Sequence, residues 1–356
     1  MKKVFLFFIL LVSFQVKAQL PPVAQALYTQ FYNTNTVVAQ TCITNGAQAL
    51  ATADGKTFYL KWFPAGSTPS NTPVMVTLHG TGSNAFNALN KWFTSASSHS
   101  VGIIALQWYL GASSSSPNDY FGDTTLYTYI DTALKRIKYP ANKALFHGFS
   151  RGSARSYAIQ FQDVYPPNGK NYFCTIASNA GKPDSLYPFY NGINSGTNHS
   201  FCAGKRWAMY CGAADPNPAR DGCPGMNSAK INWVMANGGT VGLFIQDPIL
   251  GHSGLMDTTP LQDSILEFYL PCFSSVSVKE LELEKLLNIY PNPTSNYLNI
   301  NTDKFVGETI TIYDNVGVLR KELQIRNKKT TIDVADLPKG IYFMKINSSR
   351  TKFIKE

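Results

Sequence analysis

Gly148-Phe149-Ser150-Arg151-Gly152 follows directly on the apolar run Ala144-Leu145-Phe146 and leads straight into Ala154-Arg155-Ser156-Tyr157-Ala158-Ile159. The spacing predicts a strand, a tight turn and a helix. In that context the two glycines let the chain reverse sharply and bring the helix close to the strand, so the hydroxyl of Ser150 stands exposed above the sheet. Ser150 is therefore the candidate nucleophile.

A serine hydroxyl is a weak nucleophile until a base takes its proton and a third group holds that base. At an elbow of this kind the chain order is nucleophile, acid, histidine. His79, His99 and His147 come too early, which leaves His199 and His252. His199 lies in the polar stretch Asn194-Ser195-Gly196-Thr197-Asn198, which reads as surface loop. His252 lies just past the apolar run Val241-Gly242-Leu243-Phe244-Ile245 between Gly251 and Gly254, and is the expected base. For the acid, Asp215 ends the strand-like run Trp207 to Ala214 and is preferred to Asp247, with Asp221 third. An Asp before proline, as at 215 and 247, could equally initiate a turn.

A fourth element is a donor for a developing oxyanion. Val74-Met75-Val76-Thr77-Leu78 reads as a buried strand ending in His79-Gly80-Thr81-Gly82-Ser83. A loop of this type offers one backbone N–H and the residue after the nucleophile offers another, here Thr81 and Arg151. Gly80-Thr81-Gly82-Ser83-Asn84-Ala85 also satisfies the relaxed dinucleotide fingerprint. That fingerprint needs an acid about twenty residues on, and the chain has Ala105-Leu106-Gln107-Trp108 there.

Apolar runs at 57–63, 73–79, 101–108, 144–149, 171–177, 207–213 and 240–246 alternate with helical patterns at 85–97, 125–138, 153–164, 226–237 and 260–269. Such alternation predicts an α/β fold, a mostly parallel sheet covered on both faces. Loops at the C-terminal ends of such strands border a site. Trp108 and Tyr109 are accordingly candidates for an aromatic, substrate-binding wall, with core packing the alternative for Trp108. Residues 182–206 are a second candidate wall, or a plain surface excursion.

Lys2 and Lys3 precede the apolar run Val4 to Phe14, and Val16-Lys17-Ala18 is followed by Gln19, the pattern of a signal peptide over 1–18. The net charge of +9 is spread evenly over the remaining chain with no basic stripe, which argues against a nucleic-acid partner. Six cysteines without a C-x-x-C spacing, in an exported chain, predict disulfides rather than zinc. The pairings expected are Cys211 with Cys223, Cys174 with Cys202, and Cys42 with Cys272.

The glycine loop, elbow, strand-end Asp and late His resemble the α/β-hydrolase family over roughly residues 40–272, in its secreted esterase and polyester-depolymerase-like branch. The resemblance implies Ser150 as nucleophile, Asp215 as acid, His252 as base, Thr81 and Arg151 as oxyanion donors, and neither metal nor organic cofactor. Arg151 is bulkier than the residue many relatives carry. The implied reaction is hydrolysis of carboxylic esters, aromatic or polymeric ones included, with a peptidase or amidase, or a catalytically silent carbohydrate- or polymer-binding protein, as alternatives.

Beyond Cys272 the composition changes. A linker over 273–285 leads to Tyr290-Pro291-Asn292-Pro293 and then to short alternating strands at 297–301, 309–313, 330–334 and 340–346. This predicts a small antiparallel β-sandwich. With Gly340-Ile341-Tyr342-Phe343 and the tail Lys352-Phe353-Ile354-Lys355, residues 286–356 resemble the type IX secretion sorting domain. An accessory carbohydrate-binding sandwich is the alternative. The expected partners are an ester substrate and the type IX secretion machinery.

Overall fold

The computed structural model describes residues 20–165, 167–183, 200–274, 288–301, 305–315, 317–346 and 349–356. The signal-peptide segment, most of the 182–206 stretch with His199, and most of the linker lie outside them. The chain divides between Ser274 and Ser275 into two compact units.

Among its described residues the first unit is built on eight strands: β1 (Gln48–Ala51), β2 (Phe58–Trp62), β3 (Val74–Leu78), β4 (Gly102–Leu106), β5 (Ala144–Phe149), β6 (Phe173–Asn179), β7 (Arg206–Gly212) and β8 (Thr240–Asp247). Their order in the sheet is β1-β2-β4-β3-β5-β6-β7-β8. The pairs from β4 to β8 are parallel, while β1 and β2 add an antiparallel edge. Strands β3, β4 and β6 are buried at every residue, as expected where helices cover both faces of a parallel sheet.

Among the described residues the α-helices are α1 (Pro22–Thr34), α2 (Thr36–Thr44), α3 (Ala85–Ser98), α4 (Asp123–Arg136), α5 (Arg151–Val164), α6 (Cys223–Ala229), α7 (Gly254–Asp257) and α8 (Thr259–Ser274). Consecutive residues of a strand face opposite sides of the sheet, and β5 shows this directly. His147 packs its ring on Trp92 of α3 at 4.8 Å, whereas a Cβ on Gly148 would lie 2.1 Å from Gly152 O of α5. Helices α3 and α5 therefore cover opposite faces. Asn84 caps α3 by accepting from Asn87 N at 3.0 Å, and Asn35 caps α2 by accepting from Val38 N at 3.2 Å. Helix α8 continues through Ser274, so Phe273 and Ser274 belong to it and not to the linker. Among the described residues no helix is long and apolar enough to cross a membrane.

Among its described residues the second unit has seven strands: β9 (Asn288–Tyr290), β10 (Tyr297–Asn301), β11 (Thr309–Asp314), β12 (Leu319–Gln324), β13 (Lys329–Asp333), β14 (Gly340–Ile346) and β15 (Ser349–Lys355). They form two antiparallel sheets, β13-β10-β9 and β12-β11-β14-β15. Burial alternates along β11 and β14. Leu298, Ile300 and Ile332 of one sheet share a core with Ile312, Met344 and Phe353 of the other, the arrangement of a sandwich.

Two of the three expected disulfide pairings are corrected. Cys211 bonds Cys223, but Cys174 bonds Cys272, because α8 packs back under the sheet and delivers its last turn to β6. Cys42 and Cys202 are buried free thiols. Cys42 donates to Phe86 O of α3 at 3.5 Å, and burial pushes its thiol up to about 12. The native protein should therefore resist a thiol reagent, and denaturation without reductant should release two reactive thiols per chain. Three disulfides would release none.

Candidate active site

Ser150 occupies the turn between β5 and α5 with φ 55° and ψ −116°, a left-handed conformation that a side-chain-bearing residue adopts only under constraint. The constraint comes from the flanking glycines. A Cβ on Gly152 would lie 2.5 Å from Leu78 O of β3, just as one on Gly148 would strike α5. The elbow closes only because neither carries a side chain. Ser150 N donates to Asn179 O at the end of β6 at 2.9 Å.

His252, in the loop between β8 and α7, places Nε2 2.9 Å from Ser150 Oγ. Its Nδ1 lies 2.7 Å from Asp215 Oδ2, beyond the end of β7. The Asp215 side chain is fully buried and that of His252 is 28% exposed. Asn217 N donates to the other carboxylate oxygen at 2.8 Å, and the Phe149 ring lies 5.1 Å from the imidazole. An acceptor on Nδ1 makes that nitrogen the protonated one, leaving Nε2 as the acceptor facing Ser150.

The alternative acids lie differently. Asp247 Oδ1 accepts from Ile249 N and Leu250 N at 2.9 and 2.7 Å, closing the turn after β8. Asp221 is buried, with its carboxylate in the guanidinium of Arg220. Donor atoms of Asp215, Asp221 and His252 lie within 4.8 Å of one another. Both imidazole nitrogens already face Ser150 and Asp215, so the donor set fits a relay better than a metal centre.

The His79-Gly80-Thr81 loop lies against the elbow, since a Cβ on Gly80 would be 3.1 Å from Ser150 Cβ. Gly80 O accepts from His79 Nδ1 at 2.9 Å and from Ser83 N at 3.3 Å. The carbonyl of Gly80 and the N–H of Thr81 belong to one trans peptide and point opposite ways, so these bonds orient the Thr81 N–H. Thr81 is exposed and Arg151 half-buried. His79 must donate from Nδ1. Its Nε2 is buried without a partner among the described residues, and burial lowers its pKa to about 4.

The aromatic wall is corrected. Trp108 is fully buried, donates from Nε1 to His79 O at 3.1 Å, and tilts against Tyr120 at 4.7 Å. Tyr109 is 8% exposed and packs between Phe31 of α1 and Tyr120. Tyr109 pairs with Tyr120 in an antiparallel bridge that folds the segment after β4 back on itself. Both rings are core. The cleft beside the elbow has a volume of about 380 Å³ and is lined in part by Val38, Gly80, Asn87, Phe149, Ser253 and Met256. The contribution of Asn35 and Val38 went unread in the sequence, although Pro22 as a helix start and Asn35 as a cap were available signals.

Residues 288–356 match the family described as the secretion system C-terminal sorting domain. The hyperthermophilic esterase of the archaeon Pyrobaculum calidifontis is similar in structure at TM-score 0.50 and 10% identity, over 71% of this chain and 93% of that one. A Rhizomucor miehei esterase gives 0.49 at 13% identity over 72% and 93%, and a Bacillus cereus carboxylesterase 0.44 at 16% over 66% and 99%. No curated protein sequence matches the chain. The first unit thus has the α/β-hydrolase fold. The second is a type IX secretion sorting domain, which addresses the chain to secretion or the cell surface.

His79 and His147 are both buried, with pKa values lowered to about 4 and about 3 by burial. Unfolding returns each to about 6.5. Between those limits the unfolded chain binds more protons, so stability is full above about pH 6.5 and falls as pH drops. Urea titrations followed by tryptophan fluorescence should show a loss of about 1.2 kcal/mol for each histidine between pH 6 and 5. A His147→Gln variant, left with one such histidine, should have about half the summed slope of the two.

Proposed function

We propose that the first unit is a serine hydrolase that cleaves carboxylic esters through an acyl-enzyme. The observation that carries this is the continuous relay from Ser150 Oγ through His252 to Asp215, at 2.9 and 2.7 Å. His252 Nε2 takes the Ser150 proton as Oγ attacks the ester carbonyl, and Asp215 holds the imidazolium that results. The negative charge on the carbonyl oxygen is met by the N–H groups of Thr81 and Arg151. Collapse of the tetrahedral intermediate expels the alcohol, which leaves with the proton from His252. Water then repeats the cycle and releases the acid. No step calls on a metal or organic cofactor.

We further propose the organisation 1–18 as signal peptide, 19–272, extended to Ser274 by the last residues of α8, as catalytic domain, and 286–356 as a sorting module. The ester preference is in keeping with the archaeal neighbour at TM-score 0.50, which is an esterase.

Ser150→Ala and His252→Ala should each lower turnover of nitrophenyl esters by about a thousandfold or more while the melting temperature holds. Asp215→Asn should lose orders of magnitude and Asp247→Asn little. A folded Ser150→Ala variant at the wild-type rate would sink the proposal, and a crippled Asp247→Asn would reassign the acid. Deleting 286–356 should leave active enzyme retained by the producing cell, as fractionation and activity assays would show.

A further inference from the structure

The two amides assigned to the oxyanion belong to different segments, the loop after β3 and the first turn of α5. One side chain touches both segments. Tyr120 is 5% exposed, and its Oη accepts from Gly82 N at 2.9 Å and donates to Ser114 O at 3.0 Å. A phenol has one proton to give and lone pairs to accept with, so both bonds form together. Gly82 follows Thr81 and has a left-handed φ of +67°. Thr81 is thus held through Gly80 O on one side and Gly82 N on the other.

The face of the same ring receives Arg151. Its guanidinium carbon lies 4.2 Å from the ring centroid, and its terminal nitrogens reach Ser116 O at 3.5 Å and Ser115 O at 3.4 Å. Trp108 and Tyr109 pack against Tyr120 at 4.7 and 5.0 Å, and so steady the ring between the two segments.

We propose, on the hydrolase reading above, that Tyr120 is a positioning residue that sets the spacing of the two oxyanion donors, holding the Thr81 loop by its hydroxyl and the Arg151 segment by its ring. Both donors must lie about 2.7–3.1 Å from one oxygen for the pocket to act. Slack between the segments lengthens one bond or the other only when the charge develops, which lowers kcat and spares substrate binding.

The test uses the full chain. Tyr120→Phe deletes the hydroxyl and keeps the ring, while Arg151→Met deletes the guanidinium and keeps the backbone N–H. Tyr120→Phe should lower kcat on p-nitrophenyl acetate by about 10- to 100-fold with KM within about twofold. The second-order rate at which a fluorophosphonate labels Ser150 should fall by a similar factor, because that displacement also builds charge on an oxygen in the pocket. Arg151→Met should lose several-fold in both, and it decides the matter if Tyr120→Phe does not fold. Unchanged kcat and labelling rate, or a lower melting temperature with raised KM and retained kcat, would overturn the proposal. Ser150→Ala run alongside separates the two claims. If it turns over like wild type, the hydrolase assignment is wrong. If it is inactive and Tyr120→Phe is unaffected, only the positioning role fails.

Discussion

The separation between β5 and α5 is smaller than any side chain allows, and the site depends on it. A Cβ at Gly148 would meet α5 and a Cβ at Gly152 would meet the end of β3. With both absent, three segments converge and Ser150 is left as the one residue that must take a positive φ to connect them. The strain is local and the surroundings hold it: α5 is buried along nearly its whole length, and Asn179 O anchors the serine's own N–H. From that fixed point the other groups need only arrive by their own strands. Asp215 comes from β7, His252 from the loop after β8, and the Thr81 loop from β3.

Much of this was legible because the information is local. Five consecutive residues specify the elbow, and unbroken apolar runs specify strands buried on both faces. The order Ser150, Asp215, His252 follows from chain direction. What was not legible depends on which elements pack together. Nothing near Cys174 in sequence announces that α8 returns beneath β6, so spacing alone does not disclose its bond to Cys272. Trp108 stands at the C-terminal end of a strand, where a substrate contact is reasonable, yet the bridge between Tyr109 and Tyr120 folds that segment back into the core.

The two units illustrate two ways of writing a strand. In β3 or β4 every residue is buried, so apolar content marks the strand and alternation is lost. In β11 and β14 one face meets the partner sheet and the other meets solvent, and the period of two survives. Small antiparallel sheets therefore announce their register in sequence. A covered parallel sheet announces only its presence.

The bond between Cys174 and Cys272 also defines a load path. Any pull exerted through the sorting module enters the first unit at Ser274, two residues beyond Cys272. With the bond closed, tension passes directly into β6, which is flanked by β5 and β7 and must be sheared against two hydrogen-bonded ladders at once. With the bond open, the same tension would peel α8 away turn by turn from its free end, each turn yielding separately. Oxidation state thus sets whether traction reaches an interior strand of the sheet or only the terminal helix.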